Sequence, residues 1–423
     1  MMNKLLWLLL VAVAGLMPPV GAVAANVDAE DLYRDLQGRI FQVQVIDVVS
    51  NKKMSIGTGF RVSADGLIAT NYHVVAGYLQ APEQYRVEYL AQDGAGGIVR
   101  VRDIDIIHDL AIVQADLPGD SYLELTTRSL SKGARIFAIG NPHDLGMSII
   151  EGTYNGLLEK SLYEKILFSG ALNPGMSGGP ALNRQGQVIG VNVSTAGNEL
   201  SFLVPVRYLQ ALLHEVNQAA GKETDLTQRI TRQLMAGQQQ TIQGLLQAKW
   251  KTMHLGEAEV PAELVAYFKC WGQTDNKPDS LYSHTYSACS SPDSIYISDH
   301  FETGSIDFRY DMLSTDKLNS MQFYNLYTEK FAEGYSANQA DEEDVGNYRC
   351  NSRFVDIGGK PWKVALCFRA YKKFSGLYDM ALSMASLGSE KSGLLVNMNV
   401  SGVNQENAMA LVQKFMESIS WQN

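Results

Sequence analysis

Apolar and polar positions change rhythm three times along the chain. Near the start, Leu32 and Leu36 stand one helical turn apart within Asp28 to Gln37, which predicts a short helix. Phe41, Val43 and Val45 then alternate with Gln42 and Gln44, the period of a strand. From Gly57 onward come short apolar runs punctuated by glycine. Gly66-Leu67-Ile68-Ala69-Thr70, Leu110-Ala111-Ile112-Val113, Ile136-Phe137-Ala138-Ile139-Gly140 and Val188-Ile189-Gly190-Val191 are examples. Helical spacing is scarce between them. Many short strands with turn residues at their ends predict an all-β barrel or sandwich. Val204-Pro205-Val206 leads into a closing helix over Tyr208 to Val216.

The second rhythm runs from Asp225 to Met253. Leu226, Ile230 and Leu234 recur every four residues, and Ile242, Leu245, Leu246 and Trp250 continue a helical face beyond Gly237. This predicts a helical connector of one or two helices, with Gln238-Gln239-Gln240 facing solvent. From about Gly256 the pattern is mixed. Ile306, Phe308, Tyr310 and Met312 alternate with polar residues, as do Val364 to Ala370 and Leu394 to Val400. Such alternation suits half-buried strands of an antiparallel sheet. Asn404 is an expected N-cap for a last helix whose stripe is Ala408, Leu411, Val412, Phe415 and Ile419. The third region reads as an α+β unit, a sheet backed by that helix.

Composition adds bounds. The 423 residues exceed one ordinary core, so more than one domain is expected. A net charge of −10 argues against nucleic acid as a partner, because such binding needs a cationic footprint. Lys4, the apolar run Leu5 to Leu16, Pro18-Pro19 and Ala22-Val23-Ala24 read as a signal peptide over residues 1–24. Export to the periplasm or beyond is therefore expected, and no later segment is long and apolar enough to span a bilayer. The four cysteines, Cys270, Cys289, Cys350 and Cys367, lack metal-binding spacing. An even count in an exported chain favours two disulfides, and short loops favour Cys270–Cys289 and Cys350–Cys367. The acidic run Asp341 to Asp344 reads as a solvated loop.

The chemistry gathers in the β-rich half. Asn173-Pro174-Gly175-Met176-Ser177-Gly178-Gly179-Pro180 sets one serine in a turn too tight for side chains. Gly175 and Gly178 can adopt backbone angles closed to other residues. Such a turn can push a hydroxyl forward while two N–H groups converge beside it, as a nucleophile with an oxyanion hole requires. A serine needs a base, and Ala69-Thr70-Asn71-Tyr72-His73 places a histidine just past a strand. An orienting acid appears in Ile107-His108-Asp109-Leu110, before an apolar strand.

Together these blocks resemble a trypsin-like serine protease of the chymotrypsin double-barrel fold, most of all the bacterial HtrA (Deg) group. The order His73, Asp109, Ser177 matches. Gly57-Thr58-Gly59-Phe60 with Asp65 to Val75 resembles the histidine block, and His108 to Val113 the aspartate block. Ile139-Gly140-Asn141-Pro142, Gly186 to Asn192 and Ser201 to Pro205 resemble the second barrel. The likeness covers residues 40 to 216. It implies a protease domain over 25–218, followed by the connector at 219–255 and the α+β unit at 256–423.

The resemblance further implies an oxyanion hole at Gly175, Met176 and Ser177, formed by the N–H groups of Gly175 and Ser177. It places Ala171 at the specificity-pocket floor, and Asn192, Val193 and Ser194 along a substrate strand. Protein or peptide substrates are implied, with a small or medium apolar residue before the cut, and neither metal nor cofactor. The resemblance leaves homo-oligomers open. Met176 stands where the HtrA pattern commonly has Asn, and His108 where a small polar residue is usual; His108 could tune the neighbouring acid or face solvent, and solvent is the favoured expectation. A PDZ domain usually follows in HtrA proteins, and no glycine-led carboxylate-binding loop of that kind is found here. The competing reading is a protease-fold scaffold without turnover, acting in binding, sensing or as a chaperone in the cell envelope. The C-terminal unit, standing where a regulatory domain would, is expected to restrain or direct the protease.

Overall fold

The computed structural model describes residues 28–117, 119–219, 225–334 and 340–421. The signal peptide expected at 1–24 lies outside the described residues. A short helix, α1 (Ala29–Leu36), buries Leu32 and Leu36 as its spacing predicts. Six strands then close a barrel: β1 (Ile40–Asp47), β2 (Lys53–Arg61), β3 (Leu67–Thr70), β4 (Tyr85–Leu90), β5 (Gly96–Asp105) and β6 (Leu110–Gln114). Their order around the wall is β1-β2-β3-β6-β5-β4, with α2 (Tyr72–Gln80) between β3 and β4.

A second barrel follows: β7 (Arg135–Gly140), β8 (Ser148–Leu157), β9 (Ile166–Ser169), β10 (Pro180–Leu182), β11 (Val188–Gly197) and β12 (Leu200–Pro205). It closes in the order β10-β11-β12-β9-β8-β7. Closure leaves no free sheet edge in either barrel. The two barrels are the double-barrel architecture expected of the first half. Helix α3 (Val206–Gln218) packs Val206, Leu209, Leu212 and Val216 into a core shared by both barrels.

Helix α4 (Leu226–Gln247) is one unbroken helix capped by the Asp225 side chain, which accepts from the Gln228 N–H. It is more than a connector. Arg229 pairs with Asp103 of β5 at 3.0 Å and with Glu215 of α3. Gln233 donates to Ile104 O at 2.8 Å and accepts from Ile106 N–H at 3.0 Å. The expectation of solvent-facing glutamines at 238–240 is corrected for two of the three. Gln238 and Gln239 both accept from Asn407 Nδ2, at 2.8 and 2.7 Å.

In the last region, β13 (Thr252–Leu255) and β14 (Ala258–Pro261) form a small sheet with the terminal β24 (Ser420–Trp421). Seven antiparallel strands make the main sheet: β15 (Lys269–Asp275), β16 (Ser283–Ser290), β19 (Ile306–Ser314), β20 (Arg349–Ile357), β21 (Lys360–Ala370), β22 (Tyr378–Ser386) and β23 (Ser392–Val403). Its order is β15-β16-β19-β23-β22-β21-β20. Helices α5 (Ser320–Glu333) and α6 (Gln405–Glu417) accompany it, and α6 is capped by Asn404. Alternation decides what is inside. Phe308, Tyr310, Met398 and Val400 meet Leu411 and Phe415 of α6 in one core. The disulfides join directly paired strand positions, Cys270–Cys289 and Cys350–Cys367.

A separate hairpin, β17 (Ile295–Ser298) and β18 (Phe301–Thr303), leaves this region and packs on α2. Its Ile295, Ile297 and Phe301 share one apolar core with Val45 and Val113 of the first barrel, Val75 of α2, and Ile230 and Leu234 of α4. No helix among the described residues is long and apolar enough to cross a membrane.

Candidate active site

His73 sits in the first turn of α2, just after β3 ends at Thr70. N–H groups there have no acceptor within the helix. Asp109 supplies one from the turn before β6. Its Oδ1 accepts the His73 backbone N–H at 2.9 Å, and its Oδ2 lies 2.6 Å from His73 Nδ1. One carboxylate therefore fixes both the backbone and the ring of the histidine. Asp109 is held at φ +55°, a left-handed conformation that Asp tolerates better than most residues. Its carbonyl accepts from Asn71 Nδ2 at 2.6 Å and from the Tyr72 N–H at 3.2 Å. Burial alone would lower the imidazole pKa. The charge and hydrogen bond of Asp109, with a further contribution from Asp299, outweigh it and raise His73 above its ordinary value.

The serine loop enters from the second barrel. Gly175 and Gly178 adopt φ of +94° and +85°, and Met176 N–H donates to Asn173 O at 3.0 Å, closing the turn. Pro174 O accepts from the His143 N–H at 2.8 Å. In a trans peptide the Gly175 N–H then points the opposite way. Among the described residues neither the Gly175 N–H nor the Ser177 N–H donates a hydrogen bond. Two unpaired donors thus flank a half-buried serine. The Ser177 hydroxyl donates to Val193 O at 3.2 Å. Met176 is fully buried and packs among Ile136, Phe168 and Leu203 of the second barrel, so its side chain anchors the turn from below. Gly140 makes room for it: a Cβ there would lie 2.7 Å from Met176 Cα.

Thr58, for which the motif alone suggests no role, ties the barrels together at this point. Its N–H donates to Ser177 O at 2.8 Å, and its hydroxyl donates to Gly175 O at 2.7 Å while accepting from Asn141 N–H at 3.0 Å. Gly178 packs against Thr70 and Asn71, where a Cβ would lie 2.9 Å from Asn71 N. The serine loop is thereby seated on the residues that lead into His73.

The expected substrate strand is corrected at one position. Asn192 is fully buried, and its Nδ2 donates to Ile139 O at 3.1 Å and Met176 O at 3.3 Å. Its N–H donates to Gly179 O and its carbonyl accepts from Gly178 N–H, so the residue braces the serine loop from behind. Val193 is half-buried, while Ser194 and Ala171 are exposed. The expectation that His108 faces solvent is also corrected. Its ring stacks on Tyr208 with centroids 3.5 Å apart, and Nδ1 lies 2.7 Å from Asp105 Oδ2. Among the described residues no group of three or more His, Cys, Asp or Glu could hold a metal ion.

The histidine has a neighbour that no local pattern announces. The Tyr296 ring of β17 meets the His73 ring edge to face, with centroids 6.0 Å apart, and meets Tyr72 at 6.4 Å. The Tyr72 hydroxyl donates to Ile297 O at 3.1 Å. Alternation marks Ile295 to Ile297 as a strand, but nothing in it names the partner.

Residues 57–191 match the family described as the trypsin-like peptidase domain. Serine protease HTRA1A of Danio rerio is 34% identical over 180 residues, covering 40% of this chain and 36% of that protein. The putative serine protease HhoB of Synechocystis is 32% identical over 170 residues, covering 38% of this chain and 39% of that protein. Among solved structures, the serine endoprotease of Yersinia pestis aligns with a TM-score of 0.39 at 21% identity, over 44% of this chain and 65% of that one. The chain spans little more than a third of the length of the curated relatives it matches. With both barrels closed and the three motif blocks in order, residues 57–191 carry a trypsin-like peptidase domain, and over this part the chain is similar to HtrA serine proteases.

Proposed function

We propose that the chain is an exported serine endopeptidase acting on protein or peptide substrates through an acyl-enzyme on Ser177, with the protease domain at residues 25–218. The observation that carries this reading is the pairing of one carboxylate that fixes His73 with two unpaired N–H groups beside Ser177. In the reaction, Ser177 Oγ turns from Val193 O toward His73 Nε2 by a rotamer change. Oγ attacks the scissile carbonyl carbon while His73 takes the hydroxyl proton. The oxyanion meets the N–H groups of Gly175 and Ser177. Collapse breaks the C–N bond, and His73 returns its proton to the leaving amine. Water then repeats the sequence on the ester and frees the acid. Asp109 orients the ring and stabilises its cation.

Ala171 carries no charge, which supports a preference for small or medium apolar residues before the cut rather than Lys or Arg. A peptide library dominated by cleavage after Lys or Arg would refute that preference. The second reading, a scaffold without turnover, has one observation in its favour: the Ser177 hydroxyl rests on Val193 O. A fluorophosphonate probe separates the two. We expect labelling of Ser177 in the full chain, absent in Ser177→Ala and slower by about 10³-fold or more in His73→Ala. A folded wild-type chain that stays unlabelled would leave the scaffold reading.

A further inference from the structure

The hairpin β17–β18 belongs by chain to the α+β region but by contact to the histidine turn. Ile295, Ile297 and Phe301 are buried against the first barrel, so the hairpin is held in place by packing rather than by chance approach. Ile297 O takes the hydroxyl of Tyr72, the residue before His73. On that fixed base, Tyr296 turns its ring to the imidazole. Its hydroxyl donates to Asp299 Oδ1 at 2.6 Å, which ties the turn residue Asp299 to the same ring. Burial, together with that carboxylate, keeps the Tyr296 phenol protonated far above neutral pH, so it is a lasting donor.

We propose that Tyr296 and Asp299 are positioning residues of the protease site, supplied by the C-terminal region: the tyrosine ring walls the His73 imidazole, and the carboxylate it holds sets a second negative charge beside that ring. The proposal deepens the endopeptidase reading and rests on it for its catalytic meaning. Asp109 grips one ring nitrogen and leaves the ring's outer edge free to rock about that bond. A ring wall at 6.0 Å from the centroid limits that movement. The titratable groups facing the imidazole are Asp109 from the turn before β6 and Tyr296 and Asp299 from the hairpin, while Tyr72 on α2 turns its hydroxyl to Ile297 O. Of these, Asp109 and Asp299 both favour the imidazolium. The C-terminal region thus contributes to the pH at which the base becomes available.

The test uses the full chain with labelled histidine, His73 being assigned by the signal lost in His73→Gln. Asp299→Asn removes the charge but keeps an oxygen for the Tyr296 hydroxyl. Asp299→Glu restores the charge. We expect His73 to titrate at lower pH in Asp299→Asn than in the wild type, and to move back in Asp299→Glu. Tyr296→Phe, which keeps the ring but frees the carboxylate, should shift it in the same direction as Asp299→Asn. The acid limb of fluorophosphonate labelling at Ser177 should follow the same order. A merely structural role would leave the titration where it is, so an unmoved His73 signal in folded Asp299→Asn overturns the proposal. A titration that moves in a wild-type background unable to label Ser177 supports the hairpin's role and sinks the endopeptidase reading instead.

Discussion

The turn that carries His73 is approached from two sides, and the two approaches are built by opposite means. The serine loop arrives through main-chain contacts. Thr58 N–H meets Ser177 O, its hydroxyl meets Gly175 O, and Gly178 lies against Asn71 N with no room for a side chain. The C-terminal hairpin arrives through side chains, with Ile295, Ile297 and Phe301 in the apolar core and Tyr296 on the imidazole. Main-chain approaches of this closeness admit glycine and little else. Side-chain packing tolerates many apolar residues of similar volume. The first approach therefore leaves a motif in the sequence, and the second leaves only an ordinary strand pattern.

The largest effect should come from the side-chain approach. Ile297 is buried, and Ile297→Ala should cost about 3 kcal/mol. Urea unfolding followed by separate probes in the first barrel and in the main sheet should show both losing stability. A loss confined to the main sheet would mean that the two regions are coupled less than their shared core implies. Next comes the main-chain approach. Thr58→Val keeps the shape but leaves Gly175 O and the Asn141 N–H without their partner. It should cost roughly 2 kcal/mol and slow probe labelling at Ser177, while Thr58→Ser should stay near the wild type. Equal labelling rates in Thr58→Val would show that the serine loop holds its shape without the clamp.

The smallest effect concerns the sheet behind the hairpin. Burial pushes the Asp307 carboxyl up to about 6, against the hydrogen bond from Asn399 that lowers it. A carboxyl raised on folding binds its proton more tightly in the native state. Its contribution is therefore present below the unfolded value near 4 and lost as pH rises through about 6. Asp307→Asn should be more stable than the wild type by roughly 1–2 kcal/mol at pH 8, with the gain shrinking to nothing below pH 4. A gain of the same size at both pH values would place its origin in packing rather than in ionisation.

The glycine-punctuated strands of the first half were legible as a barrel or sandwich, their division into two barrels came from the resemblance to trypsin-like proteases, and the strands of the main sheet were legible in their alternation. So were the cysteine pairs and the cap at Asn404. Within the site, Gly175 and Gly178 were legible because only glycine suits their φ values. The functions of other residues were not. Thr58 is an ordinary strand residue until Gly175 and Asn141 are seen on either side of it. Asn192 lies on a strand beside the serine, but its side chain turns inward, and one residue of register decides that. His108 and Gln238 are polar, yet each meets a partner from a distant segment, Tyr208 and Asn407. Alternation also overstates the openness of the polar face: Arg309 and His284 converge on Asp311 rather than on water. The contact between Tyr72 and Ile297 spans 225 positions, far outside the reach of any local period.

The shared core has a consequence for how the protein is made. Synthesis completes the wall of the first barrel at Gln114, but Phe301, Tyr371 and Leu377, which fill out the same core, emerge much later. Until they are in place that core keeps an uncovered apolar face, so the first barrel reaches its full burial only when the last region has folded onto it.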